Sequence, residues 1–252
     1  MGATGSSLPQ YDYDNPTNFT ENVGNTLKWM KNDKLTNYND WEKTITSDQQ
    51  QAIYSFTGSG YKNSKFVELY NKPWDELTPT QQKYASDLYD TLSGFELKKP
   101  INVMRKASTK LFGMEGMTLS QLKALEGKIV HSNGFMSTAA ATHGKYVDSN
   151  ECEMKITIPK SVGAGAFVAY KSSVGSGEKE FLLNNNGFFK IEKVSKGADG
   201  KPFIEMKWIG RSKDQLFAGQ TEGVTSDKGI MSSGNKGAVS TKTVSQTVKK
   251  KK

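Results

Sequence analysis

Two acidic residues separated by one position, Glu178 and Glu180, form the part of this sequence best suited to chemistry. Residues two apart in a β-strand project from the same face, so a strand here would direct both carboxylates into one cleft and turn Lys179 away from it. Two neighbouring carboxylates repel each other unless a cationic group lies between them. A nicotinamide ring, an oxocarbenium ion or a guanidinium would each provide that positive charge.

Two earlier segments carry polar groups that such a cleft could use. Arg105 ends an apolar stretch, and Ser137 and Thr138 follow a Gly-Phe-Met sequence. Arginine is rare in this chain, since only Arg105 and Arg211 occur among its 34 basic residues. A guanidinium is planar and offers several donors to an oxyanion such as phosphate. The rarity of arginine makes the placement of Arg105 informative.

The elements that would position these groups begin with helices. A Ser or Thr followed three residues later by Gln is a capping-box pattern, and it predicts helix starts at 47–50, 78–81 and 118–121. Two shorter helices, around 27–30 and at Trp41, are expected to bury aromatic side chains against the body of the protein.

From Ile101 onward, segments typical of β-strands are separated by turns rich in glycine and asparagine. Helices first and strands afterwards predict an α+β domain. The predicted strands are 101–105, 128–131, 135–137, 152–158, 166–170, 180–183, 188–194 and 204–210.

The ordered set Arg105, Ser137-Thr138 and Glu178-Lys179-Glu180 resembles the mono-ADP-ribosyltransferases of the Arg–Ser-Thr–Glu-x-Glu class, which occur among bacterial exoenzymes and T-even-like bacteriophages. The resemblance covers roughly residues 50–210. It implies an ADP-ribosyltransferase fold, in which a helical N-terminal part packs on a two-sheet mixed β core around an NAD cleft. It also implies NAD as the substrate and no metal.

The resemblance implies a role for each matched residue. Glu180 would stabilise the oxocarbenium-like transition state, and Glu178 would orient the acceptor and take its proton. Ser137 would hold Glu180 in register, and Thr138 would brace the central strands. A glutamate rather than a glutamine at position 178 implies arginine as the acceptor. The residues expected to contact NAD are Arg105, Lys106, Ser137, Thr138, Tyr146 and Glu180.

The chain departs from the family pattern in two places. Ala139 stands where the family motif has a second serine, and Lys145 and Tyr146 are the residues available to sandwich nicotinamide. The loop 172–177 before the acids lacks the aromatic residue that many relatives use for acceptor recognition, and Tyr170 lies early for that purpose. These departures leave the identity of the acceptor open.

Composition adds several exclusions. The net charge is +8, and residues 219–252 hold seven lysines against two acidic residues, in a composition that predicts a disordered basic tail. Cys152 is the only cysteine, so an intrachain disulfide is excluded, and it is expected to be a small core residue. His131 and His143 have no ligand cluster near them, so no metal site is expected. The sequence contains no run of about 18 apolar residues, so no membrane span is expected.

These observations predict three parts: an N-terminal arm with short helices (1–46), a catalytic domain (47–218) and the basic tail (219–252). The expected activity is transfer of ADP-ribose from NAD to arginine side chains of target proteins by a monomer. The start of the sequence lacks the features of a secretory signal, which predicts a phage enzyme in the host bacterial cytoplasm or packaged in the virion.

Three alternatives stay open at this point: an NAD glycohydrolase, the catalytic subunit of a secreted bacterial toxin, and a structural or nucleic-acid-binding phage protein. The basic tail is the feature that favours the last of these. The expected targets are host transcription or translation proteins, with an RNA end as another possible acceptor.

Overall fold

Helices form the first part of the chain and strands the second. The computed structural model describes residues 12–58, 77–132, 134–144, 151–211 and 230–231. Within these ranges no helix is long and apolar enough to cross a membrane. The helices are α1 (Val23–Met30), α2 (Tyr38–Thr44), α3 (Ser47–Thr57), α4 (Pro79–Ser93) and α5 (Leu119–Lys123).

Helices α3, α4 and α5 each begin with a capping box, in which side chain and backbone satisfy each other's hydrogen bonds. The predicted boxes at Thr78 and Thr118 are confirmed. The box of α3 lies one residue earlier than expected, because Thr46 rather than Ser47 has the extended backbone of an N-cap and accepts a hydrogen bond from the Gln49 amide. Gly58 follows the end of α3.

The predicted strands are present, and two of them, at 152–158 and 180–183, match at both ends. The predicted strand 166–170 is shorter than expected, because the chain turns at Val168, whose carbonyl accepts hydrogen bonds from the amides of Lys171 and Ser172. Three short strands, at 96–97, 161–162 and 230–231, were not expected. The strands are β1 (Glu96–Leu97), β2 (Ile101–Ala107), β3 (Ile129–Ser132), β4 (Met136–Ala139), β5 (Cys152–Ile158), β6 (Ser161–Val162), β7 (Gly165–Phe167), β8 (Glu180–Leu183), β9 (Gly187–Lys196), β10 (Pro202–Arg211) and β11 (Ile230–Met231).

Nine strands form one continuous ladder in the order β11-β3-β9-β10-β5-β2-β4-β8-β7, and β1 pairs with β6 separately. The ladder is mixed, since β10 and β5 are parallel and the other neighbours are antiparallel. A single residue pair, Met104 with Ala139, joins β2 to β4. The β core is therefore divided into two parts at this junction, which confirms the α+β fold with a two-part mixed β core.

The helical part packs on the sheet through aromatic side chains, such as Tyr38 of α2, whose ring centroid lies 6.3 Å from that of Phe167 in β7. Trp41 of α2 is buried, donates a hydrogen bond from Nε1 to the carbonyl of Thr91 at 2.7 Å, and meets Phe95 edge-on with ring centroids 5.2 Å apart. Phe56 of α3 packs in the same way on Phe135, just before β4. The expected burial of aromatic residues from the short N-terminal helices is confirmed for Trp41, whereas Trp29 of α1 is partly buried and contacts Phe19. This packing places α2 and α3 beside the strands that carry the Ser-Thr and Glu-x-Glu segments.

Candidate active site

The two acids of the Glu-x-Glu segment do not lie on one regular strand. Glu178 ends a 3₁₀ turn, Lys179 has the left-handed conformation with φ 49° and ψ 43°, and Glu180 begins β8. The expectation that both acids share one strand face is wrong, because the turn closes with a hydrogen bond from the Lys179 amide to the Ser176 carbonyl. Lys179 also does not face solvent, since its side chain is only 1% exposed.

Glu180 is fully buried, with a relative exposure of 0%. Strand β8 pairs antiparallel with β4, so that Glu180 lies opposite Ala139 and Leu182 lies opposite Ser137. Paired residues share a face, and so do residues two apart, which makes Ser137 and Glu180 diagonal neighbours on the same face. The pairing of β4 with β8 thus brings the Ser-Thr segment next to the second acid.

Glu178 lies at the edge of this arrangement. Its side chain is partly exposed, yet its Oε2 atom is buried and accepts no hydrogen bond from the residues that the structure describes. A buried carboxylate oxygen without a donor is costly. A cationic or donor group approaching from outside would remove that cost.

Arg105 is held against the Ser-Thr segment. Ile101, Val103 and Arg105 alternate along β2, and the first two are core residues. Arg105 is only 7% exposed, and its Nη1 donates a hydrogen bond of 2.6 Å to the carbonyl oxygen of Ser137. A short hydrogen bond from a charged donor is among the stronger ones. Arg105, Ser137 and Glu180 therefore belong to one cluster that spans β2, β4 and β8.

Comparison with known proteins agrees with this geometry. The model of the family described as ADP-ribosyltransferase exoenzyme matches residues 31–207. The chain belongs to this family. The match begins before the point near residue 50 where the sequence resemblance starts, so α2 lies within the family domain. A search of curated proteins finds no significant match.

Solved structures of bacterial ADP-ribosyltransferases share the fold at low sequence identity. C3stau2 from S. aureus, solved with NAD, is 19% identical, with a TM-score of 0.63 over 78% of this chain and 99% of that one. Plx2a, an ADP-ribosyltransferase toxin from Paenibacillus larvae, is 19% identical, with a TM-score of 0.62 over 75% and 96%. The ADP-ribosylating toxin BECa of C. perfringens, solved with NADH, is 20% identical, with a TM-score of 0.61 over 77% and 50%.

In this transferase Thr138 lies inside the sheet. Its side chain is fully buried, and its hydroxyl donates a short hydrogen bond to the carbonyl of Phe181 across the β4–β8 pair. This position agrees with the expected bracing of the central strands and leaves the hydroxyl no exposed surface for a ligand. Of the other predicted NAD contacts, Lys106 is a partly exposed residue of β2 next to Arg105, and Tyr146 lies outside the described residues, as does Lys145.

Sequence reasoning missed Gly144, which packs against the main chain of Arg105 and Lys106. A Cβ atom at this position would lie 2.8 Å from Cα of Arg105 and nearer still to its carbonyl carbon and to the Lys106 amide nitrogen. The Gly144 amide donates a hydrogen bond to Glu153 Oε1 at 3.1 Å. The segment after β4 therefore lies directly on the main chain of β2, and glycine permits that approach. A glycine seven residues after Ser137 is too weak a pattern to have indicated it.

The loop before the acids is anchored on the helices. The Ser173 amide donates to Thr57 Oγ1 at 3.0 Å, and Lys171 lies 3.5 Å from a carboxylate oxygen of Glu42. Tyr170 and Val174 project from this loop with exposures of 46% and 43%. The loop is thus attached to α2 and α3 at its base, while the side chains of Tyr170 and Val174 face solvent.

The remaining titratable candidates have structural roles. His131 is buried against the ring of Phe188, and burial lowers its pKa to about 4 despite an opposing hydrogen bond with Asn186. Cys152 is a buried residue of β5, as expected. Among the described residues no group of His, Cys, Asp and Glu could hold a metal ion.

Proposed function

We propose that this protein transfers ADP-ribose from NAD to arginine side chains of target proteins and releases nicotinamide. The observation that carries the proposal is the cluster in which Arg105 binds the Ser137 carbonyl while β4–β8 pairing places Ser137 and Glu180 on one face. The family match and the neighbours solved with NAD and NADH support NAD as the donor.

Glu180 is proposed to act on the sugar. Breaking the bond between nicotinamide and ribose C1′ creates positive charge on the sugar, as in glycoside hydrolysis. A carboxylate fixed beside C1′ stabilises that charge more than it stabilises uncharged ribose, which is the condition for lowering the barrier. Full burial of Glu180 strengthens the effect, because the effective dielectric constant is low there. The same carboxylate can accept a hydrogen bond from the ribose 2′-hydroxyl.

Glu178 is proposed to act on the acceptor. A protonated guanidinium is a poor nucleophile, so the carboxylate must take one of its protons as the new bond from nitrogen to C1′ forms. Nicotinamide leaves with the electron pair of the broken bond, which balances the step. The buried, unpartnered Oε2 atom fits this task, since an arriving guanidinium would donate to it.

Arg105 is proposed to bind a phosphate group of NAD. Its guanidinium presents N–H donors in one plane, a geometry that matches the oxygens of a phosphate. Because that bond fixes the guanidinium to β4, a phosphate bound there would be placed at a defined distance from Glu180. Lys106 would add positive charge at the same end of β2.

Hydrolysis of NAD by water is the second candidate, and the acceptor loop favours it. The loop 172–177 contains no aromatic residue, so fewer contacts are available there to hold a protein acceptor. The same two acids would serve, with water in place of the guanidinium.

Labelled NAD and a cell lysate separate these candidates. The wild-type chain is expected to label protein bands and release nicotinamide, whereas Glu180→Ala should do neither. Free ADP-ribose without labelled protein would favour the hydrolase. Intact NAD with both proteins, or equal labelling by both, would refute the transferase.

Two further variants sharpen the test. Glu178→Gln should lose transfer to arginine while retaining part of the NAD cleavage, because the amide cannot accept the proton. Glu192→Gln is the matched control, since Glu192 of β9 pairs with Lys190 on its own strand and with Lys207 on β10, and neither strand carries the Ser-Thr or Glu-x-Glu segment. It should behave like the wild type. Hydroxylamine treatment then identifies an arginine linkage by the release it causes.

Two places of action are compatible with the proposed reaction. A phage enzyme that modifies host transcription or translation proteins fits the Lys- and Asn-rich composition. A toxin's catalytic component has more support, because two of the three neighbours named above are described as toxins. The lysate experiment, run with bacterial and eukaryotic extracts in parallel, distinguishes the two by which extract is labelled.

A further inference from the structure

The N-terminal arm reaches the candidate active site from outside the catalytic strands. Thr17 lies beside the start of β2. Its amide donates a hydrogen bond to the Pro100 carbonyl and its carbonyl accepts one from the Asn102 amide, both at 2.9 Å. Asn18 Oδ1 accepts a hydrogen bond from the Asn102 side chain at 2.8 Å. Phe19 is buried against Trp29 with ring centroids 5.2 Å apart. These contacts fix the course of the arm up to Thr20.

Glu21, the next residue, contacts two catalytic segments at once. Its Oε1 atom accepts hydrogen bonds from the amide and hydroxyl of Thr142 at 3.1 and 2.6 Å, beyond the end of β4. Its Oε2 atom lies 3.2 Å from Nζ of Lys179. The Thr20 carbonyl accepts a second hydrogen bond from that ammonium at 2.8 Å. One side chain of the arm thus joins the segment after Ser137-Thr138 to the residue between the two acids.

Lys179 depends on this contact for both its charge and its conformation. Its side chain is 1% exposed, and an ammonium buried to that degree must be paired. Its left-handed backbone is uncommon for a residue with a side chain and persists only where the surroundings fix it. The Lys179 carbonyl accepts a hydrogen bond of 2.9 Å from the Ala140 amide, so a shift of Lys179 would be transmitted to the strand end beside Glu180.

The direction of the Lys179 side chain also affects the charge of the two neighbouring acids. Lys179 stands between Glu178 and Glu180 in the chain, so an ammonium not held by Glu21 has carboxylates on both adjacent residues with which it can pair. Pairing with either would neutralise an acid that the proposed reaction needs ionised. In the structure the ammonium instead pairs with Glu21, on the arm.

We propose that Glu21 is a positioning residue of the active site, which holds Lys179 away from the two acids and ties their segment to the end of β4 through Thr142. The inference rests on the proposed function for its effect on catalysis. Glu21 is 47% exposed and acts through Lys179 rather than on the substrate.

Steady-state nicotinamide release by the full chain tests the proposal. Glu21→Ala should lower kcat by about 10- to 100-fold, the effect of misplacing a reacting group by about 1 Å, with the KM for NAD changed less than twofold. Asn18→Ala is the matched control, because it removes an arm hydrogen bond that does not touch the Glu-x-Glu segment. It should leave kcat and KM within twofold of the wild type.

The double variant Glu21→Ala with Lys179→Met makes the test specific. If Glu21 acts by holding the ammonium, removing that ammonium as well should restore at least about tenfold of the lost kcat, because no unpaired charge is left beside the acids. Unchanged kcat in Glu21→Ala, an equal loss in Asn18→Ala, or a double variant no better than Glu21→Ala would each overturn the proposal.

Amide hydrogen exchange provides a readout that does not require activity. The Ala140 amide, bonded to the Lys179 carbonyl, should exchange at least about tenfold faster in Glu21→Ala than in the wild type or in Asn18→Ala. Equal exchange in all three proteins would overturn the proposal. A wild-type protein that leaves NAD intact would refute the proposed function instead, and the exchange result would still decide whether Glu21 positions this segment.

Discussion

A methyl group added at Gly144 should displace Arg105, although Gly144 itself touches no proposed substrate. In Gly144→Ala the new carbon would lie 2.8 Å from Cα of Arg105 and nearer still to the Lys106 nitrogen. The neighbouring atoms are main-chain atoms of β2, so they cannot rotate out of the way as a side chain would. The two segments must therefore separate.

The size of the effect follows from that separation. Ordinary contacts of a Cβ atom begin at 3.4 Å, so the segments must move apart by at least about 1 Å. Overpacking of this kind costs about 1–3 kcal/mol, which lowers Tm by roughly 3–10 °C in a domain of this size. A guanidinium displaced by about 1 Å loses its hydrogen bond to Ser137, and misplacement on that scale lowers kcat/KM by about 100-fold.

Nicotinamide release and thermal unfolding measure the two effects on the same samples. The matched control is Gly94→Ala, because a Cβ atom there has 3.5 Å as its shortest contact and the backbone φ is −83°. The control should retain wild-type kcat/KM and nearly the same Tm. A Gly144→Ala protein with lowered Tm and wild-type kcat/KM would refute the argument that this glycine seats Arg105.

Three further changes test individual groups. Arg105→Lys should raise the KM for NAD about tenfold, since a point charge cannot make both the bond to Ser137 and a planar contact with phosphate, and a fluorescence titration with NAD should show the same loss. Thr138→Val should lower the free energy of unfolding by about 1–2 kcal/mol in urea titrations with kcat within threefold, because its hydroxyl bonds the Phe181 carbonyl rather than a ligand; a loss of NAD affinity would contradict this. His131 has a pKa lowered to about 4, so the unfolded chain binds its proton first on acidification. Between pH 7 and 5 this difference should lower the free energy of unfolding by about 2 kcal/mol. In Tm measurements across the same pH range, His131→Phe should show a smaller decrease than the wild type.

Local patterns were sufficient to predict the helices and the longer strands. Strand β5 alternates buried and partly exposed residues along its whole length, and its predicted bounds are those observed. Helix α4 begins at the predicted proline after Thr78, because the capping box is a local hydrogen-bond pattern that the sequence specifies completely. Arg105, Ser137 and Glu180 could also be placed from the sequence, because each lies on a strand that its local pattern predicts.

The conformation of Lys179 could not be read in this way. Left-handed backbone is usually signalled by glycine or asparagine, and Asn186 in this chain is an example. A lysine in that conformation gives no such signal. Its side chain is held by contacts with Thr20 and Glu21, which lie more than 150 positions earlier in the chain. The prediction of two acids on one strand failed because a 3₁₀ turn closes at Lys179, and part of what holds this residue comes from a distant segment.

The same reasoning explains why the contact between Arg105 and Ser137 was not predicted. It depends on the junction of β2 and β4, where a single residue pair joins the two parts of the β core. Nothing in either strand specifies that its neighbour will be the other, because strand pairing between distant segments is set by the packing of the whole sheet. Position in the sequence indicated which residues matter, and tertiary structure determined what they touch.

The different settings of the two acids suit different demands of the proposed reaction. Glu180 belongs to a strand paired on both sides, by β4 and β7, so its carboxylate is fixed relative to Ser137 and Arg105. Glu178 belongs to a turn whose position depends on a loop attached to α2 and α3. Changes in that loop can therefore alter which acceptor reaches Glu178 without moving the group that acts on the sugar. Such an arrangement allows one scaffold to keep the cleavage of NAD constant while its acceptors diverge.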